Sequence, residues 1–177
     1  ELSSDYKEIT VFLRKGMKWS DGMPFTANDF VFWYEAILMN EEITPVKNSR
    51  WTDGVGVVKV EKVNDYEVKF VYPYPAPSFI DIMANANRLY FNVPFAPKHY
   101  LSQFHPGYNN KAEALAKDAG YGTWVEYFTF IYPNEVQARS VVDLPTIDTW
   151  ILVKVDNNGN KFFDRNPYFW KIDTEGN

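Results

Sequence analysis

The stretch Lys18-Trp19-Ser20-Asp21-Gly22-Met23-Pro24-Phe25-Thr26-Ala27-Asn28-Asp29 limits what this chain can fold into more than any other. Thr26 is a natural helix N-cap. Asp29, three residues on, completes a capping box in which each side chain accepts a backbone N–H near the other. Phe25 before the cap and Phe30 in the first turn are spaced as a hydrophobic staple, which fixes how the chain enters the helix. Asp21-Gly22 predicts a tight turn ahead of it, since glycine tolerates positive φ, and Pro24 keeps the approach extended. Upstream, Ile9, Val11 and Leu13 alternate with Thr10 and Phe12, the period of a strand over about residues 8 to 14. Strand, turn and helix are predicted by local rules that agree with one another.

The helix runs from Ala27 to about Met39, where Ala27, Phe30, Val31, Tyr34, Ile37 and Leu38 form one apolar face. Phe32 and Trp33 widen that face, so burial on more than one side is expected. Pro45 stops any continuation. Residues 44 to 56 read as a loop, in which Trp51 beside Arg50 is either an exposed ligand contact or an aromatic lid on the core. A hairpin is predicted from Val57–Val63 and Tyr66–Tyr72, turning at Asn64-Asp65, with Tyr66, Val68, Phe70 and Tyr72 on one face. Pro73, Pro75 and Pro77 end it, and Ser78 with Asp81 opens a short helix through about Ala84.

Asn110 to Ala119 reads as a polar helix with Gly120 at its C′ position. Thr123-Trp124-Val125-Glu126 is a further capping box, opening an aromatic-rich helix through about Ile131. The last predicted element is a hairpin of Ile151–Val155 and Lys161–Asp164 around a type I′ turn at Asn158-Gly159.

Composition narrows the function. The net charge of −5 leaves no basic surplus to neutralise phosphates, which argues against a nucleic-acid or anionic-membrane partner. No run approaches the roughly 20 apolar residues of a membrane-spanning helix. Cysteine is absent, which removes disulfides and thiolate chemistry. The 18% aromatic content stands out, and such rings either line a groove or fill a core. His99 and His105 have no second histidine or cysteine at a metal-ligand spacing and are read as structural or surface residues. Asp156, Asn158 and Asn160 imitate an EF-hand loop, but Lys161 stands where glycine is needed and Pro167 where a glutamate is needed. No nucleophile elbow, P-loop or dinucleotide fingerprint occurs. No enzyme is expected, and no catalytic residue, metal or cofactor is assigned.

The run Leu13-Arg14-Lys15-Gly16-Met17-Lys18-Trp19-Ser20-Asp21-Gly22, with Pro24-Phe25-Thr26-Ala27 and Asp29-Phe30-Val31-Phe32, resembles the signature of the family 5 extracellular solute-binding proteins. These receptors deliver oligopeptides, and in some branches nickel or oligosaccharides, to ABC importers. Val68-Lys69-Phe70 before the proline run, Val93-Pro94-Phe95-Ala96-Pro97-Lys98-His99 and Arg165-Asn166-Pro167-Tyr168-Phe169-Trp170 are similar to later family segments. The region of residues 105 to 145 is unlike the short peptide-binding members. Where those members carry a glycine-rich turn, this chain has Pro145-Thr146-Ile147-Asp148-Thr149-Trp150.

The resemblance implies an α+β fold, a mixed or antiparallel sheet with short flanking helices, like the additional domain of a two-lobed periplasmic-binding-protein fold. It implies that residues 1–140 are that additional domain and that residues 141–177 are an incomplete hairpin starting the return into the main lobe. The chain is then an internal piece of a monomeric receptor, periplasmic or extracellular and anchored outside the cytoplasm as a lipoprotein. Its partners would be a peptide or oligosaccharide ligand and an ABC permease. Arg50, Trp51 and Trp150 are the expected ligand contacts. Trp19, Ser20, Asp21, Gly22, Pro24, Thr26 and Asp29 are expected to hold a turn. A carbohydrate-active enzyme or carbohydrate-binding module is the rival that aromatic richness and acidic balance suggest; a structural interaction domain is the third reading.

Overall fold

The computed structural model describes residues 1–54, 56–80, 93–133 and 141–171. They group into two compact units, Glu1–Lys15 with Thr26–Ala96 and Gly16–Phe25 with Pro97–Asn177.

The first unit is built on a three-stranded antiparallel sheet of β1 (Glu8–Phe12), β2 (Lys59–Asn64) and β3 (Glu67–Val71), in the order β1-β3-β2. Ile9, Phe70 and Val60 stand opposite one another across the three strands and are 2%, 0% and 6% exposed. Val68 and Tyr72 share the buried face with Phe70, while Glu67 and Lys69 point the other way, as alternation along a strand requires. The hairpin turns at Asp65-Tyr66, one residue later than expected. Asn64 stays in the ladder opposite Glu67, its Oδ1 accepts the Tyr66 N–H at 2.9 Å, and an irregularity between Lys62 and Asn64 absorbs the extra residue.

Helix α1 (Ala27–Phe32) packs against β2 and β3. Both halves of its capping box form: the Thr26 side chain accepts from the first turn, and the Thr26 N–H donates to Asp29 Oδ2 at 2.8 Å. The regular helix expected to reach Met39 instead becomes π-helical over Trp33–Leu38, closed by a Met39 N–H to Tyr34 carbonyl bond of 2.9 Å. Phe32 and Trp33 are adjacent large rings that are both buried, and one narrow stripe of an ordinary helix does not accommodate that. The wider turn brings Trp33, Ala36, Ile37 and Leu38 inside together and leaves Val31 and Tyr34 half-buried. Around them Phe30 meets Phe70 edge-on, and Trp33 meets Trp51 likewise at 4.8 Å between centroids. Of the short helix expected over Ser78 to Ala84, residues 79 and 80 are helical and the rest lies outside the described residues.

The second unit holds α2 (Lys98–Leu101) with a tighter turn at Ser102–Phe104, α3 (Ala112–Asp118), α4 (Trp124–Ile131) and a hairpin of β4 (Trp150–Val155) and β5 (Lys161–Arg165). Helix α3 ends in a Schellman motif. Gly120, at φ +87°, donates to the Lys117 carbonyl, and Tyr121 donates to that of Ala116. At α4 only half of the expected capping box forms. Thr123 Oγ1 accepts the Glu126 N–H at 3.2 Å, but Glu126 Oε2 takes the N–H of Gly122 rather than that of Thr123. Helix α4 packs on α3 and buries Trp124, Phe128 and Ile131, with the Trp124 and Phe128 rings against His105.

The β4–β5 turn also differs from expectation. Gly159 is at φ +81° but Asn158 is not at positive φ, so no type I′ turn forms. Gly159 N–H donates to the Asp156 carbonyl and Asp156 N–H to that of Asn160, a tight turn followed by a left-handed glycine. The Asp156 carboxylate selects this form by accepting from the N–H groups of Asn158 and Asn160 and from Asn160 Nδ2 at 2.8–2.9 Å. Those bonds hold its pKa below the usual carboxylate range, the Asn160 side-chain bond first.

Phe70→Ala should cost about 3–5 kcal/mol, because the cavity lies in the row joining all three strands. Phe12→Ala, at a 59% exposed position of β1, should stay within about 0.5 kcal/mol. Urea midpoints of the two variants check this; equal losses would show that the buried face is misassigned. Thr26→Ala should cost about 1 kcal/mol through loss of the cap, and an unchanged midpoint would count against that hydrogen bond.

Candidate functional site

In the second unit, residues 18 to 24 form a small turn of their own. Trp19 N–H donates to the Met23 carbonyl and Gly22 N–H to that of Trp19, and Lys18 and Pro24 bridge as antiparallel partners. Gly22 lies at φ +87°, and Asp21 Oδ1 accepts the Met23 N–H at 3.1 Å. The other Asp21 oxygen pairs with His99 Nε2 at 2.7 Å. Trp19 is 2% exposed, with its ring against Phe25 and His99.

This turn is tied to residues far along the chain that sequence reasoning did not connect to it. Ser20 N–H donates to the Thr146 carbonyl at 2.9 Å, and Thr146 N–H donates to Ser20 Oγ at 3.0 Å. Asn166, 1% exposed, donates through Nδ2 to the carbonyls of Thr146 and Asp148, and its Oδ1 accepts the Tyr168 N–H. The Tyr168 ring then lies against Gly22, where an added Cβ would come within 3.2 Å of the phenol oxygen. Lys18 Nζ sits 5.1 Å from the centroid of the same ring. Pro145-Thr146 and Asn166-Pro167 signal turns in the sequence, but nothing local names their partner.

The expected ligand contacts fall in different units. Arg50 and Trp51 belong to the first. Arg50 is half-buried, its carbonyl accepts the Tyr72 hydroxyl at 3.0 Å, and its N–H donates to Asn48 Oδ1. Burial pulls the Arg50 guanidinium below its ordinary range and pushes the Tyr72 phenol far above its own. Trp51 is 2% exposed and packs on Trp33 and Phe70, which is the lid-on-core arrangement. Trp150 belongs to the second unit, opens β4 opposite Arg165, and is 59% exposed. Val153, Phe162 and Phe163 are also exposed on this hairpin.

Of the two histidines, His99 is engaged by Asp21. His105 is buried, with Nδ1 accepting the Gly107 N–H at 3.1 Å and its ring against Trp124 and Phe128. Among the described residues, no group of three His, Cys, Asp or Glu side chains is placed to hold a metal, and no helix is long and apolar enough to cross a membrane.

Gly22→Val should destabilise by about 1–3 kcal/mol, since a β-branched residue is strained at positive φ and also presses on Tyr168. Adding Tyr168→Ala should return only the contact part of that loss; full recovery in a thermal-melt double-mutant cycle would show that the backbone carries no strain.

The family model for bacterial extracellular solute-binding proteins, family 5 Middle, matches residues 1–175. A periplasmic alpha-galactoside-binding protein of Rhizobium meliloti is 28% identical over 179 residues, covering 100% of this chain and 22% of that protein. The oligopeptide-binding protein OppA of Bacillus subtilis is 31% identical over 110 residues, 56% of this chain and 20% of the relative. Among solved structures, an oligopeptide-binding protein OppA superposes with a TM-score of 0.82 at 36% identity, covering 99% of this chain and 26% of that one. The binding protein MelB of Agrobacterium fabrum, solved with stachyose, shares the fold with a TM-score of 0.73 at 24% identity, over 99% and 23% of the two chains. The chain thus spans about a quarter or less of the relatives it matches.

Proposed function

The chain belongs to the bacterial extracellular solute-binding proteins of family 5, and on that premise we propose that the protein carrying it captures an oligopeptide or an oligosaccharide outside the cytoplasm and hands it to an ABC importer. The observation that carries this reading is the family match over residues 1–175, joined to relatives named for peptides on one side and α-galactosides on the other. The named relatives are binding proteins, which supports capture rather than turnover. A monomeric receptor, anchored outside the cytoplasm as a lipoprotein, is part of the same proposal.

Within that receptor, residues 1–140 are read as the additional domain and residues 141–177 as the start of the return into a ligand-binding lobe. The hairpin supports this. Each β5 residue is exposed, and Trp150, Val153, Phe162 and Phe163 leave apolar surface open on a two-stranded sheet. Such a pair is marginal by itself and gains stability by joining a larger sheet. Arg50 and Trp150 are the side chains we assign to the ligand, while Trp51 packs on Trp33 and Phe70 in the core of the first unit. The signature residues from Trp19 to Asp29 are assigned to holding the turn and helix.

Isothermal titration of the full-length protein against peptide and oligosaccharide panels tests the ligand class. Saturable, stoichiometric heat with one panel and no turnover is expected; product formation would overturn the receptor reading. Trp150→Ala should weaken binding without shifting the melting temperature, and unchanged affinity would remove Trp150 from the site. Residues 1–177 alone should bind far more weakly than the full-length protein, because a two-lobed receptor buries its ligand between facing surfaces. Comparable affinity would place the whole site within these residues.

A further inference from the structure

Three aspartate- or asparagine-glycine steps lie in the described residues, at Asp21-Gly22, Asp53-Gly54 and Asn158-Gly159, and the structure treats them differently. In such steps the glycine amide nitrogen can attack the preceding side-chain carbonyl, because no Cβ shields it. The Asp21 carboxylate is held at both oxygens, by the Met23 N–H and by His99 Nε2. Asp53 Oδ1 accepts the Gly56 N–H at 2.9 Å. Asn158 is exposed, and it is held through its backbone N–H, which donates to Asp156 Oδ1, and not through its carboxamide. It also carries the better leaving group, since ammonia departs from an amide more readily than hydroxide from a carboxylate.

We propose that Asn158 is a modification site, at which the chain converts this asparagine to aspartate and isoaspartate without an enzyme. The Gly159 nitrogen bonds to Asn158 Cγ, the Cγ–Nδ2 bond breaks, and the amide proton of Gly159 leaves with the departing ammonia. Water then opens the resulting succinimide at either carbonyl. Opening at Cγ gives aspartate, and opening at the main-chain carbonyl gives isoaspartate; in sum, asparagine and water become the acid and ammonia, with no redox change.

The turn itself sets the rate. Gly159 N–H donates to the Asp156 carbonyl at 3.0 Å, and Asp156 gathers the N–H groups of Asn158 and Asn160, so the nucleophile is engaged while the turn is closed. Attack therefore follows local opening, which is inexpensive at the exposed tip of a hairpin whose second strand is exposed throughout. Isoaspartate adds a carbon to the main chain at Asn158, and the bond pattern that positions the left-handed Gly159 cannot then close. The product adds a negative charge beside the Asp156 carboxylate, whose pKa the Asn160 hydrogen bonds already hold below the usual carboxylate range.

The test is peptide mapping by mass spectrometry of the full-length protein aged at mildly alkaline pH, with isoaspartate detected by a methyltransferase assay. Asn158 is expected to convert ahead of the other asparagines. Asp156→Ala, which releases the turn, should speed conversion roughly fivefold, the factor that losing about one net hydrogen bond gives an opening equilibrium. Asn158→Ser should abolish the product at this position while leaving the fold and ligand binding unchanged. Conversion concentrated at another asparagine, or an Asp156→Ala rate equal to that of the parent protein, would overturn the proposal.

Discussion

The reciprocal bond between Ser20 and Thr146 is the contact on which the second unit depends. Each residue donates its backbone N–H to the other, across a separation of 126 residues. Closing a loop of that length costs little more than closing one half as long, since each doubling adds only about 0.6 kcal/mol. Two hydrogen bonds at a net value of about 1 kcal/mol each nevertheless cannot order so long a segment alone. They hold because their surroundings are buried and satisfied. Thr146 is 6% exposed and Asn166 1%, and the Asn166 amide adds a second donor to the Thr146 carbonyl and donates to that of Asp148 as well. Removing that amide would take away both donations, at a net value of about 1 kcal/mol each, and open a gap beside Thr146 where Asn166 is buried.

The first unit is organised by packing instead. Phe70 stands in the middle strand, between Ile9 and Val60, and its ring also meets Phe30, Trp51 and Phe79. A slip of one residue in either flanking strand would turn Ile9 or Val60 to solvent, so one ring fixes the register of both pairings. The π-helical stretch serves the same core. It costs regular hydrogen bonding over Trp33–Leu38 and gains full burial of two adjacent large rings.

Elements governed by neighbours in the chain were legible from the residues. The Thr26–Asp29 box, the Gly120 terminator and the alternation of Val68, Phe70 and Tyr72 follow from chemistry acting over a few positions. Where two local solutions compete, the sequence left the choice open. Asn158-Gly159 suits a type I′ turn, but the Asp156 carboxylate two residues earlier organises a different one. Glu126 has the spacing of a capping box and takes the Gly122 amide instead. The Ser20–Thr146–Asn166 network was illegible for another reason. Small polar residues pair with whatever backbone the fold brings to them, and no periodicity marks the partner.

The aromatic content shows how composition misleads when burial is unknown. Rings of this size bury large apolar areas, and a chain without cysteine relies on such packing for its cohesion. Trp19, Trp33, Trp51 and Trp124 are all under 9% exposed, so most of the indole surface is structural. That shifts weight away from Trp51, whose place beside Arg50 had made it a plausible contact, and towards Trp150. An indole left 59% exposed on a strand opposite an arginine does not contribute to the core of its own unit. Its hydrophobic surface is stabilised only when something else covers it. In a receptor the candidates are the ligand and the rest of the lobe. A face given to the ligand is uncovered in each empty cycle, whereas one given to the lobe stays covered, and the melting temperature of Trp150→Ala without ligand separates the two.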